Sequence, residues 1–321
     1  MIRAYAVADG RLRPLEAPFD GLDEVVWFDV FNPTGAEEAA LEKAIGVGVP
    51  TPDEMQEIED SSRLYTEDGA AFMTANLPAQ VETDEPVLAP VTFILAGQWL
   101  VTLRYHEPRS FRTFIARAER VDVGCSDGAS TLVGLLEIIV DRLADILEKI
   151  GSDINLISRR VFRPSDPAGP APDYQAVLRD LGRHGDLVAS VTDSLVTLER
   201  LIVFFTASAT RSVGKEGRVR IKTLSRDTRF LSEHAGALSQ KLTFLLDATL
   251  GMISIEQNGI IKIFSVAAVV FLPPTLIASI YGMNFDVMPE LDWVAGYPFA
   301  LGLMVASAVL SFWFFKSRGW L

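Results

Sequence analysis

The sequence predicts an α+β membrane protein: a cytosolic α/β domain, a long helical stalk and two C-terminal transmembrane helices per subunit. Three observations lead there. Residues 1–125 alternate short β-rich runs with Gly, Pro and Asp turns. From Glu216 onward no proline interrupts a helical pattern until Pro273. Two uncharged apolar runs, Ile263–Ile280 and Trp293–Phe315, follow, each long enough to cross a hydrocarbon core of roughly 30 Å. A charged share of 22% is too high for a polytopic membrane protein; it fits a large water-facing part joined to a small membrane part.

In the first domain, IRAYAV, VVWFDV, GAAFMTANL, PVTFILAG and QWLVTLRY read as strands, the last two forming a hairpin around Gly97 and Gln98. Thr34 with Glu37 forms a capping box. Thr51, Pro52 and Glu54 supply an N-cap, a proline at N1 and an acid at N3. Residues 126–210 form an acidic helical hairpin. Its first helix carries Glu137, Asp141, Asp145 and Glu148 on a solvated face, prolines break it at RPSDPAGPAP, and a second helix runs from Asp173 to Ala207. A stalk helix (211–257) continues into a first crossing (258–281). Unbroken from Glu216 to Tyr281 it is on the order of 100 Å long, so it needs neighbours along its apolar stripe. An external loop (282–296), a second crossing (297–315) and a basic tail (316–321) complete the chain.

Charge restricts the function classes. A net charge of −13, from 42 acids and 29 bases, excludes nucleic-acid binding, which needs a basic face, and raises the local concentration of cations. One cysteine, Cys125, permits no internal disulfide, and His106, His184 and His234 have no metal-ligand spacing. No nucleophile–base pair, phosphate-cradling loop or metal cluster marks an enzyme. The N-terminus lacks the apolar core of a signal peptide. Lys241 and Lys262 precede the first crossing, Lys316 and Arg318 follow the second, and the loop between has no base. The positive-inside rule therefore puts both termini in the cytoplasm and leaves Asp286, Glu290 and Asp292 outside, as attractors of external cations or as a solvated loop.

A two-helix hairpin encloses nothing. Yet steps of three and four along the first crossing give Asn258, Ile261, Ser265, Ala268, Leu272, Thr275 and Ser279, polar or small positions among bulky ones. Such a stripe either packs against another helix or lines a pore shared by several copies under closed symmetry.

Asn258-x-x-x-Lys262-x-Phe264, FLPPTLIASIYGMNF, MPELDWVAGYP and the basic-Trp-Leu tail resemble the CorA family of magnesium transporters. The Tyr281-Gly282-Met283-Asn284 string, followed by Met288-Pro289-Glu290-Leu291 and Gly296-Tyr297-Pro298, is its most specific part. The resemblance implies a homopentameric divalent-cation channel in the plasma (inner) membrane for Mg²⁺, with Co²⁺ and Ni²⁺ as further candidates. It makes Gly282, Met283 and Asn284 the selectivity filter at the outer mouth, the first crossing the pore lining, and Leu272, Ile261 and Phe264 apolar constrictions. Mg²⁺ dehydrates reluctantly, so a ring of Asn284 amides would hold the ion through its water shell. Gly282 is expected to end the helix in a tight turn. Regulation by Mg²⁺ at cytosolic carboxylates is implied as well. Here the chain departs, with Thr223 and Arg226 where family members carry aspartates, which leaves Asp227, Glu233 and Asp247 as ligand candidates. The alternatives are a ZntB-like zinc transporter, which the Met-Pro-Glu-Leu string disfavours, and a membrane-anchored structural or sensory stalk.

Overall fold

The computed structural model describes residues 1–15, 24–83, 85–162, 173–208, 214–283, 288–289 and 293–318. The strands are β1 (Ile2–Ala8), β2 (Arg11–Leu15), β3 (Val25–Phe31), β4 (Leu64–Glu67), β5 (Ala70–Ala79), β6 (Val87–Ala96) and β7 (Trp99–Arg104). The helices are α1 (Gly35–Ile45), α2 (Pro52–Gln56), α3 (Asp60–Arg63), α4 (Arg109–Ala118), α5 (Gly128–Phe162), α6 (Tyr174–Ser208), α7 (Lys215–Tyr281) and α8 (Gly296–Ser317). The chain divides into two compact units, Met1–Leu246 and Asp247–Leu321.

In the first unit the seven strands form one sheet in the order β2-β1-β3-β7-β6-β5-β4. Only β3 and β7 run parallel. The β6–β7 hairpin turns where the sequence places it: Ala96 pairs with Trp99, and Gly97 takes φ +59, a left-handed value that costs glycine little. Alternate residues of β3 go to opposite faces. Phe28 and Val30 join Leu41 and Ile45 of α1 and Met55 of α2 in one core. Trp27 lies on the other face, stacked on Tyr5 at 4.8 Å and met edge-on by Phe114 of α4.

That second face also holds a buried polar chain. Trp27 Nε1 donates to Thr102 Oγ1 at 3.0 Å, and Thr102 Oγ1 donates to Asp29 Oδ1 at 3.1 Å. Arg104 donates to both Asp29 oxygens, at 3.0 and 2.8 Å, and its guanidinium lies 4.7 Å from the rings of Phe31 and Phe111. Paired bidentately, with Thr102 as a third donor to Asp29, the two charges are tolerated inside the sheet.

Both capping boxes form as read, Thr34 with Glu37 and Thr51 with Glu54, the latter with Pro52 in the first turn. α5 begins where only glycine fits: a Cβ on Gly128 would come within 2.4 Å of the Leu100 backbone nitrogen. Its buried positions Leu132, Leu136, Leu143, Ile146 and Ile150 keep the three-and-four spacing of an amphipathic helix. One acid departs from the expected solvated face. Glu137 accepts two bonds from Arg220 of α7, at 2.8 and 2.7 Å, and is half-buried. The sequence pattern put it on the solvated face because it could not show a cation arriving from 83 residues away.

α7 is a single helix of 67 residues that passes Pro273 and Pro274 without ending. A proline withholds its own N–H from the carbonyl four residues back, so the helix crosses two positions that lack that bond. α8 is apolar over most of its length and ends on Lys316 and Ser317, and α7 and α8 are long and apolar enough to cross a membrane.

Candidate functional site

The second unit shows which face of α7 its own chain leaves bare. Along the last turns of α7 the shielded or partly shielded residues are Val266, Ala267, Val270, Pro273, Pro274, Ile277 and Tyr281, mostly spaced by threes and fours. On α8 they are Gly296, Ala300, Met304, Ser307, Ala308, Ser311 and Phe315, again one stripe and mostly small, as packed membrane helices prefer. The eight positions expected to line a pore lie elsewhere. Asn258, Ile261, Phe264, Ser265, Ala268, Leu272, Thr275 and Ser279 are all exposed. Phe264 is 73% accessible and Leu272 64%, against 5% for Val266. At about 100° per residue, the centre of the exposed stripe falls nearly opposite the centre of the shielded one. Packing within the chain therefore does not use it.

Within the stripe, Thr275 Oγ1 donates to the Phe271 carbonyl at 2.7 Å. Its hydroxyl is satisfied by its own helix, which lowers the cost of placing it in an apolar stretch. The helix ends at Tyr281. Gly282 N–H still donates to the Ala278 carbonyl at 2.9 Å, and Met283 N–H to Ile280 at 3.3 Å. Gly282 follows the last helical residue in a turn, without a positive φ, and the chain leaves α7 by carrying its helical bonding one residue further. Asn284, Asp286, Glu290 and Asp292 lie outside the described residues.

The metal candidates of α7 are not brought together. Asp227 sits 3.8 Å from Arg226 and Glu233 3.6 Å from Arg229, all four side chains more than half exposed. Asp247 is exposed further along α7. Among the described residues no group of three or more His, Cys, Asp or Glu side chains could hold a metal ion. Asp141 has three acidic neighbours. Burial, with the charges of Glu137, Asp145 and Asp227 adding, raises its carboxyl above the ordinary range. Cys125 is buried, which pushes its thiol up to about 11 and leaves it unreactive.

Comparison with known proteins decides the family. Residues 23–317 match the model of the CorA-like Mg²⁺ transporter protein family. The chain belongs to the CorA family. Relatives cover it from end to end: it is 35% identical over 322 residues to the magnesium transport protein CorA of Pasteurella multocida, and 33% identical over 322 residues to that of Escherichia coli K12, with all of both chains aligned in each case. The complete CorA structure from Methanocaldococcus jannaschii superposes with a TM-score of 0.78, covering 100% of this chain and 99% of that one, at 19% identity. That likeness extends the family's fold to the α/β domain, the long helix and the two apolar C-terminal helices seen here. It also agrees with the fold class read from the sequence.

Proposed function

We propose that the chain mediates Mg²⁺ uptake as a multi-pass plasma-membrane channel. Five copies surround a pore lined by the exposed stripe of α7 and closed outside by the Gly282-Met283-Asn284 filter. The observation that carries this reading is the placement of the stripe. Eight positions that mix amide, hydroxyl, small and bulky apolar side chains face away from the shielded side of their helix and need an aqueous or protein neighbour that one chain does not supply. Full-length identity to proteins named for magnesium transport supports the ion.

The chemistry follows from the hydrated ion. Asn284 amide oxygens accept hydrogen bonds from first-shell waters, hold the ion without a full charge and release it. Asp286, Glu290 and Asp292 concentrate cations at the entrance. Asn258, Thr275 and Ser279 hand the hydrated ion on, while Ile261, Phe264 and Leu272 form apolar constrictions that gate by dewetting. Both termini lie in the cytoplasm, and transport proceeds without catalysis of a reaction. Co²⁺ and Ni²⁺ fit the same water-mediated grip. A regulatory Mg²⁺ at Asp227, Glu233 or Asp247 would need carboxylates from a second copy. Nothing in the geometry favours the zinc or the anchored-stalk reading.

Proteoliposome uptake tests it. Wild-type protein admits Mg²⁺, and Asn284→Ala nearly abolishes the flux at unchanged protein incorporation. Equal flux in the variant removes the filter assignment.

A further inference from the structure

The first unit holds a cavity of about 430 Å³ at the carboxyl ends of the parallel strands β3 and β7. Phe31 and Arg104, the last residues of those strands, line it together with Asn32 and Glu107 of the loops that follow. The Asn32 N–H donates to the Arg104 carbonyl at 3.0 Å and ties the two strand ends together. From there the chain parts to opposite faces of the sheet. After β3 it enters α1, whose Leu41 and Ile45 pack on the Phe28 face; after β7 it enters α4, whose Phe114 packs on Trp27 of the other face. Open α/β sheets bind ligands in such a crevice, outside the carboxyl ends of strands whose connections diverge. The volume lies within the range of small-molecule sites, roughly 300–1,000 Å³.

The lining selects the charge of the ligand. Arg104 is buried, and a guanidinium carries five N–H groups. Its Nε and Nη2 donate to Asp29, at 3.0 and 2.8 Å, and its Nη1 to the His106 carbonyl at 3.1 Å. One N–H on each of Nη1 and Nη2 is left without an acceptor, and such a planar fork grips an oxyanion through two bonds. Arg3, which also lines the cavity, lies opposite Asp29 in the β1–β3 ladder, is exposed and forms no ion pair among the described residues. The Asn32 side-chain amide has no hydrogen-bond partner among them. The Met1 ammonium borders the cavity with its N–H groups directed at the Phe31 and Asn32 carbonyls and at Glu37, so it adds charge but no free donor. Against these three cationic groups stand two carboxylates, in a protein of net charge −13. Asp29 already accepts three bonds, and Glu107 is exposed, 3.9 Å from Arg112. A divalent cation would meet two guanidinium groups and too few free oxygens.

We propose that this crevice binds a phosphate group, as the free ion or as the monoester of a small metabolite, seated on the Arg104 fork with Arg3 and the Asn32 amide as outer donors. A phosphate carries close to two charges and at least three strong acceptor oxygens, enough to meet all of these donors at once, which a single carboxylate does not. The site lies wholly within the first unit and requires neither a pore nor a second copy.

The test uses the full-length protein in a maltoside detergent, in Mg²⁺-free buffer of low ionic strength, titrated calorimetrically with sodium phosphate, glycerol 3-phosphate and citrate. The wild-type protein should bind the two phosphates saturably and citrate more weakly. Arg3→Gln should weaken phosphate binding about tenfold. Glu107→Gln removes a carboxylate from the rim and should tighten it about threefold. Both side chains are exposed, so both variants should keep the wild-type urea midpoint without ligand, which separates lost binding from lost folding. Equal affinity for the two phosphates makes the free ion the ligand, and a tighter ester makes it a metabolite; either supports the site. No saturable heat with either phosphate, an affinity that either substitution leaves unchanged, or citrate bound more tightly than both phosphates overturns it.

Discussion

Replacing Arg104 by methionine isolates the value of the buried pair in the sheet. Asp29 is 1% exposed, and Arg104 supplies two of the three side-chain hydrogen bonds it receives. Arg104→Met leaves a buried carboxylate with only Thr102, which costs about 3–5 kcal/mol, a large share of the roughly 5–15 kcal/mol that holds a domain folded. Asp29→Asn should cost less, about 1–3 kcal/mol, because the guanidinium keeps the faces of Phe31 and Phe111 and the His106 carbonyl. Asp29→Leu with Arg104→Met removes both charges, and it should recover most of the loss. With a urea slope of about 2 kcal/mol per M, the single Arg104 change moves the unfolding midpoint of the first unit down by about 2 M. Circular dichroism in detergent, where the membrane helices resist urea, reads that shift. If the double variant is as unstable as Arg104→Met, uncompensated charge is not the cause and the reasoning fails.

Two further outcomes are expected. His106 bonds the Leu77 carbonyl through Nε2 at 2.8 Å, and its Nδ1 is buried without a partner. Burial lowers its pKa, so the unfolded chain takes up the proton first. The neutral ring's contribution is fully present above the unfolded value of about 6.5 and is lost as pH falls through it. Urea midpoints of the first unit should drop between about pH 7.5 and 5.5, with a smaller drop in His106→Gln; equal drops would acquit the histidine. Leu272→Asn places an amide in the proposed apolar constriction and should raise Mg²⁺ leak into proteoliposomes at rest. Unchanged leak would take Leu272 off the pathway.

How much was legible in the sequence depended on the range of the interactions. The caps at Thr34 and Thr51 are local hydrogen bonds between residues three apart, and the pattern that marks them is equally local. α7 was visible because no breaker precedes Pro273. β2 was not, since Arg11, Arg13 and Pro14 do not look like a strand; it survives as an edge, where a proline costs no ladder bond. α4 carries Phe111, Phe114 and Ala118 at helical spacing after Pro108, a signal that was present and not used. The Glu137–Arg220 bond and the Asp29–Arg104 pair depend on tertiary placement, which periodicity does not encode. In the site, the stripe could be read from spacing, but its freedom from α8 could not. The motif at Gly282 was plain, whereas the way the chain leaves the helix there was not.

Cysteine accessibility along α7 tests the assignment of its exposed stripe most directly. Single variants Ser265→Cys, Ala268→Cys and Ser279→Cys are placed in proteoliposomes beside Val270→Cys and Ile277→Cys from the shielded side, and each is treated with a charged methanethiosulfonate during Mg²⁺ uptake. The account predicts block at the first three positions and none at the other two. Block without regard to face, or at the shielded positions alone, would contradict it.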